Sequence, residues 1–93
     1  MALTLVILTP SGETARLEAE SIRLEACDNA SGEGGGSFGI RKGHMPVVAA
    51  LKENSLARAF TSGRETAAYR ISAGFARVEN DTVTVIAESA EKV

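Results

Sequence analysis

This chain of 93 residues contains one histidine, His44, and one cysteine, Cys27, and these are the residue types best suited to catalysis or metal binding. A zinc site takes three or four His or Cys ligands, which these two residues cannot supply alone. His44 could be paired with a serine as base and nucleophile, but the sequence contains no nucleophile-elbow motif. We therefore expect no catalytic residue and no metal ligand, and we interpret His44 as a hydrogen-bonding residue at a turn or interface.

The glycine-rich stretch offers a second possible chemistry, because residues 34–39 match the dinucleotide-binding pattern G-x-G-x-x-G. That pattern works when a helix follows it within a βαβ unit, and neither is indicated here. No Lys-Ser or Lys-Thr pair follows the glycines, so a P-loop is excluded as well. We predict no cofactor and interpret residues 28–37 as a glycine-rich exposed loop.

Composition predicts one soluble globular domain spanning residues 1–93. The net charge of −2 and the aromatic content of 4% argue against a nucleic-acid partner. No apolar run approaches the about 18 residues of a membrane span, so we expect no direct membrane insertion. The first residues lack a basic leader, and a single cysteine is compatible with the cytoplasm.

In the segments that would position these residues, apolar and polar side chains alternate with a period of two, which predicts β-strands. A helix over residues 13–26 is the competing interpretation, and strict alternation argues against it. Residues 47–51 resemble a strand buried on both sides, residues 47–60 a hairpin, and residues 75–87 a second hairpin. Gly74 indicates a bulge or a close backbone approach. The predicted strands are 3–8, 14–20, 22–26, 47–51, 56–60, 66–72, 75–78 and 82–87.

These patterns predict an all-β fold, a compact β-sandwich or flattened barrel of about 8–10 short antiparallel strands. Acidic residues predominate between Glu13 and Glu33 and basic residues between Arg41 and Arg77. Solvated strand faces are the simpler interpretation of this asymmetry, and a molecule with two differently charged faces is the alternative.

Several sequence blocks stand in a distinctive order along the chain: Leu5 to Gly12, Gly36-Ser37-Phe38-Gly39-Ile40, Gly43-His44-Met45-Pro46, Val48 to Lys52, Ile71 to Val78 and Val83 to Ala90. Taken together, these blocks resemble the epsilon subunit of F-type ATP synthases. The resemblance covers nearly the whole chain and agrees with the predicted β-sandwich.

The resemblance implies the N-terminal β-sandwich of a non-catalytic central-stalk subunit. Its partners would be the gamma subunit, the ring of c subunits and the rest of the catalytic head, at the cytoplasmic face of the bacterial inner membrane. The subunit would couple proton flow to ATP synthesis in other subunits. By motif, His44 and Ala49 would face gamma, and the loop ending at Ser37 would meet the c ring.

The chain departs from the family pattern at three places. Ser37 occupies a position that is usually acidic, so either Glu33 takes that role or the ring contact differs. Arg41 and Lys42 replace the usual Leu-Pro before Gly-His. The C-terminal helical hairpin is missing, from which we expect no self-inhibition and no ATP site. A free-standing β-sandwich that binds a small ligand or peptide is the alternative function.

Overall fold

A computed structural model describes residues 3–26, 36–43 and 46–93. These residues form strands and turns, with no helix among them. The prediction of an all-β chain is therefore confirmed, and the helix considered for residues 13–26 is wrong. The strands are β1 (Leu3–Thr9), β2 (Gly12–Ala19), β3 (Ser21–Glu25), β4 (Ser37–Arg41), β5 (Val47–Leu51), β6 (Ser55–Thr61), β7 (Arg64–Ile71), β8 (Gly74–Glu79), β9 (Thr82–Ala87) and β10 (Ala90–Lys92).

The strands form two five-stranded sheets that face each other as a sandwich. Sheet 1 has the order β2-β1-β9-β8-β5, and sheet 2 has the order β10-β7-β6-β3-β4. Neighbouring strands are antiparallel except β1 and β9, which run parallel. This pair differs from the predicted antiparallel arrangement. The strands β2 to β8 separate β1 from β9 in the sequence, and they provide the long crossover connection that a parallel pair requires.

The core lies between the sheets and is built from the alternate residues that each strand turns inward. In β1, Leu3, Leu5 and Ile7 are fully buried, and in β3 Ile22 and Leu24 are fully buried while Arg23 between them is exposed. The other buried core residues are Ala19, Ile40, Leu51, Ala57, Ala59, Ile71, Ala76, Val78, Val83, Val85 and Ala87.

The predicted hairpin over residues 47–60 is wrong. β5 pairs with β8 in sheet 1, whereas β6 pairs with β3 and β7 in sheet 2. The turn between them carries the chain from one sheet to the other, with Asn54 at a φ of 58°. It is held by a hydrogen bond from Lys52 N to Glu25 O (3.1 Å) and one from Ser55 Oγ to Lys52 O (2.7 Å). The turn over residues 52–54 therefore connects the two sheets and does not close a hairpin.

β5 is a strand as predicted, but it is not buried on both sides. It lies at the edge of sheet 1, where Val48 is 67% exposed and Leu51 is 1% exposed. An isolated bridge between Leu51 and Ala26 ties the end of this strand to sheet 2. The apolar sequence of β5 thus reflects an exposed surface as much as the core.

The second predicted hairpin is confirmed as β8 and β9, joined at Asn80 and Asp81 with positive φ angles of 51° and 59°. Two positive φ angles at the centre of a two-residue turn match the twist of the flanking strands. The close backbone approach predicted at Gly74 is also present, because a Cβ atom there would lie 2.0 Å from Ile86 O.

The predicted loop 28–37 lies largely outside the described residues. Of its last positions, Gly36 is exposed and Ser37 is the first residue of β4, a strand that the alternation pattern did not predict.

Candidate functional site

The outer face of sheet 1 carries a row of apolar side chains that crosses four strands. Ala50 in β5 lies opposite Phe75 in β8, Phe75 lies opposite Ile86 in β9, and Ile86 lies beside Leu8 in β1. Residues in register on neighbouring strands share one face of a sheet. We call these four residues, Ala50, Phe75, Ile86 and Leu8, the apolar row.

The apolar row is open to solvent to an extent that is unusual for large side chains. Phe75 is 58% exposed and Ile86 is 53% exposed, while Leu8 is half-buried. Beside them a concavity of ≈ 400 Å³ extends toward Pro10, Ala73 and the start of β8. A contiguous exposed apolar surface on a folded domain marks a place where another macromolecule docks.

Charged residues flank the apolar row on the same outer face. Arg77 pairs with Glu79 (3.1 Å), and Arg16 pairs with Glu13 (2.8 Å). Thr82 and Thr84 in β9 separate the two pairs, since they lie opposite Glu79 and Arg77 respectively. The arrangement of an apolar centre with a polar margin is the usual anatomy of a protein interface.

Of the two predicted gamma-facing residues, the structure describes only Ala49, which lies near this face but not on it. Ala49 is half-buried and lies opposite Ala76, on the inner side of sheet 1, so its neighbours Val48 and Ala50 present the outer surface of β5. His44 lies outside the described residues. Its neighbour Gly43 is held by a hydrogen bond from Gly43 N to Asp81 Oδ1 (2.8 Å), which ties this loop to the turn between β8 and β9.

Of the two predicted c-ring residues, Ser37 lies on the other sheet. Ser37 is exposed at the start of β4, opposite Glu25 in β3. Glu33 lies outside the described residues. Ser37 and Ala49 therefore belong to different sheets, and nothing in the described residues brings them into one site.

Sequence reasoning missed the contribution of Phe75 and Ile86. The signal was present, because in β8 the alternation places Phe75 with Arg77 and Glu79, two charged residues that face solvent. An aromatic residue in phase with charges, and out of phase with the buried Ala76 and Val78, indicates an exposed apolar side chain.

The described residues contain no group of three or more His, Cys, Asp or Glu side chains that could hold a metal ion. They also contain no helix long and apolar enough to cross a bilayer.

Comparison with known proteins gives a family for this fold. Residues 2–93 match the model of the ATP synthase delta/epsilon chain beta-sandwich domain. The ATP synthase epsilon chains of Staphylococcus aureus strains JH9 and Newman are 35% identical over 89 residues, covering 96% of this chain and 60% of the relative. The chain thus spans about three fifths of the length of these curated relatives.

Solved structures share the fold. A chain of the Euglena gracilis mitochondrial ATP synthase, in a structure of OSCP, F1 and c-ring, superposes with a TM-score of 0.74 at 20% identity and covers 98% of this chain and 53% of its own. A chain from the central stalk and c-ring of the Tetrahymena thermophila enzyme gives 0.65 at 15% identity, covering 95% and 64%. With the family model matched over residues 2–93, this chain belongs to the ATP synthase delta/epsilon chain beta-sandwich domain family.

Proposed function

We propose that this chain is a non-catalytic central-stalk subunit of a rotary, proton-translocating ATP synthase, in which it links the gamma subunit to the c ring. Its family membership and its curated epsilon relatives support this role. In this role the chemistry takes place in the catalytic head, and residues 3–26, 36–43 and 46–93 hold no group of three or more His, Cys, Asp or Glu side chains that could bind a metal ion. In this role the subunit is peripheral, at the cytoplasmic face of a bacterial inner membrane, which the bacterial relatives support.

The outer face of sheet 1 is the proposed docking surface for gamma, and the apolar row is the single observation that carries the proposal. Phe75 and Ile86 would lose their exposed surface to gamma, and burial of apolar area is the main favourable term in association. Val48 extends the surface along β5. His44 and Ala49 remain proposed gamma contacts, with Ala49 acting through the position of the β5 edge.

The proposed c-ring contact is at the end of the sandwich that holds the loop before β4. Glu33 and Ser37 are the residues we assign to it. Since Ser37 lies at the first position of β4, a contact made there is transmitted directly into sheet 2.

Transmission of torque requires that the two sheets move as one body. A dense core interlocks them, and the corner near Glu25 connects them through the hydrogen bond from Lys52 N and the bridge between Ala26 and Leu51. Interiors packed at crystal-like density have low compressibility and transmit strain. The subunit therefore couples proton flow to ATP synthesis as a stiff mechanical part.

The proposal is tested by co-purification of the tagged chain with gamma. Phe75→Asp and Ile86→Asp would each place a charge in the apolar row, and we expect each to weaken gamma binding by at least about tenfold. Val93→Asp is the matched control, because Val93 is 66% exposed, apolar and outside the apolar row, and it should leave binding unchanged.

Two results would contradict the proposal in different ways. If the unaltered chain brings down neither gamma nor the catalytic subunits, the stalk role is wrong and a free-standing binding module is the better description. If gamma binds and both row variants bind it as well as Val93→Asp does, gamma docks on another surface.

A further inference from the structure

The outer face of sheet 2 carries a concavity of ≈ 590 Å³ whose chemistry is opposite to that of the apolar row. Among the described residues, the ionisable side chains that line it are all cationic. The main lining residues come from β3, β4, the residue after β4, and β6, and they are Ser21, Arg23, Gly39, Arg41, Lys42 and Phe60. We call it the basic concavity.

Strand register brings two arginines to the same side of this concavity. Arg23 lies opposite Gly39, and Arg41 lies opposite Ser21, while the residues between them, Ile22 and Ile40, are buried on the inner side. Arg23 and Arg41 are thus diagonal neighbours, at a separation of about 7–8 Å between backbones that long side chains can bridge.

Gly39 leaves the space between the two arginines open. A Cβ atom placed on Gly39 would find no atom within 4 Å, and Gly39 has no positive φ. The opening therefore comes from the missing side chain and does not depend on a special backbone conformation. Any larger residue at this position would project into the basic concavity without straining β4.

Three acidic residues on the described strands and turns of sheet 2 are engaged with other partners. Glu25 accepts a hydrogen bond from Leu56 N (2.9 Å), and Glu20 accepts one from Ser62 N (2.7 Å). Glu65 pairs with Arg58 (3.5 Å). Among residues 3–26, 36–43 and 46–93, neither Arg23 nor Arg41 takes part in an ion pair, so both guanidinium groups can serve an external anion.

The hydroxyl group of Ser21 and the aromatic ring of Phe60 also line the basic concavity. Ser21 lies opposite both Arg41 on β4 and Phe60 on β6, so the three side chains form one cross-strand row. Phe60 is half-buried and provides a flat apolar surface beside the cations. The combination suits a ligand that has an anionic group and an organic body.

We propose that the basic concavity is a binding site for a phosphate-bearing anion, with Arg23 and Arg41 holding the phosphate oxygens. Guanidinium groups match phosphate in planar, paired hydrogen bonds, which an ammonium group cannot do. The same phosphate chemistry is available from a soluble phosphate compound and from a phospholipid headgroup, and the experiment below separates these sources.

The first arm of the test is calorimetric titration of the chain with pyrophosphate at constant ionic strength. We expect Arg23→Gln and Arg41→Gln each to weaken binding by about tenfold or more, because each removes charge-assisted hydrogen bonds. Gly39→Val should weaken binding to a similar extent by filling the gap. Arg70→Gln is the control, since Arg70 is exposed on the outer face of sheet 2 and does not line the basic concavity.

The second arm is flotation with vesicles of phosphatidylcholine, with and without phosphatidylglycerol. Binding to pyrophosphate that follows the predicted variant order assigns a soluble ligand. Binding that requires phosphatidylglycerol and follows the same order, without pyrophosphate binding, assigns a lipid headgroup. The proposal is overturned if the unaltered chain binds neither probe, or if Arg70→Gln reduces binding as much as Arg41→Gln does. Thermal unfolding by circular dichroism verifies that each variant is folded.

Discussion

At the scale of single residues, Gly74 is a position where any side chain would collide with the neighbouring strand. A Cβ atom there would lie 2.0 Å from Ile86 O and 3.0 Å from Ala87 Cα, both backbone atoms of β9. Backbone of a neighbouring strand cannot rotate out of the way as a side chain can. Gly74 therefore fixes how closely β8 and β9 approach, directly beside the apolar row.

Gly74→Ala should lower the free energy of unfolding by about 1–3 kcal/mol, because the extra methyl group must push β9 away. The measurement is urea denaturation followed by circular dichroism. Gly39→Ala is the matched control, a strand glycine with open space around it, and it should be neutral or stabilise by about 0.5–1 kcal/mol. If the two variants are equally stable, the backbone of β9 moves away from the added methyl group at little cost in free energy.

At the scale of elements, the corner at Glu25 determines how the two sheets are joined. Glu25 accepts two hydrogen bonds from the β5 to β6 region: its backbone oxygen from Lys52 N (3.1 Å) and its carboxylate from Leu56 N (2.9 Å). One residue thus holds both sides of the turn that passes between the sheets. Without it, the end of β5, which pairs with β8 in sheet 1, would still be tied to sheet 2 by the bridge between Leu51 and Ala26.

Glu25→Ala should reduce stability by about 1–3 kcal/mol, since Leu56 N loses its acceptor in a partly buried position. Glu25→Gln keeps an acceptor oxygen and should lose clearly less. Amide hydrogen exchange at Leu56 is the specific readout, and it should accelerate in the alanine variant alone. Unchanged exchange at Leu56 in Glu25→Ala would mean that another group satisfies this amide.

The strands themselves were predictable because period two is a local property of the sequence. β2 and β3 show it fully, with arginine and glutamate alternating against alanine, leucine and isoleucine. The partner of each strand was not predictable, since a short polar turn such as residues 52–54 closes a hairpin in one protein and forms a corner between sheets in another. Long-range pairing decides between them, and it has no local signature.

At the scale of the whole molecule, a single core serves both sheets. Leu5 and Val85 from sheet 1 belong to the same buried cluster as Ile22 and Ile71 from sheet 2. Loss of packing on one side therefore removes the support of the other. This mutual dependence underlies the stiffness that the proposed stalk role requires.

Ile22→Ala should lower the free energy of unfolding by about 2–5 kcal/mol, and Ile22→Val by about 0.5–1.5 kcal/mol, in proportion to the cavity each leaves. Because the core is shared, amide protection should fall together in sheet 1 and sheet 2. Loss of protection confined to sheet 2 would show that the sheets unfold independently, which would also weaken the mechanical role.

The candidate site was only partly predictable at this scale. Alternation separates the two faces of a strand, but it cannot say which outward surface a partner will cover. Val47 to Leu51 looked like core because it is apolar, and the assembled sandwich leaves Val48 at an edge. The predicted contacts at His44 and Glu33 lie outside the described residues and stay predictions.

The parallel alignment of β1 with β9 also affects how the chain is made. Sheet 1 becomes continuous only when Thr4 to Leu8 pair with Thr82 to Ile86, and these segments are synthesised far apart in time. A nascent polypeptide leaving the ribosome can form the ribbon of β1 and β2 early, but that ribbon lacks its inner neighbour until residues 82–86 have emerged. Closure of the sandwich therefore requires segments that are far apart in sequence to meet, and the folding rate is correspondingly slow.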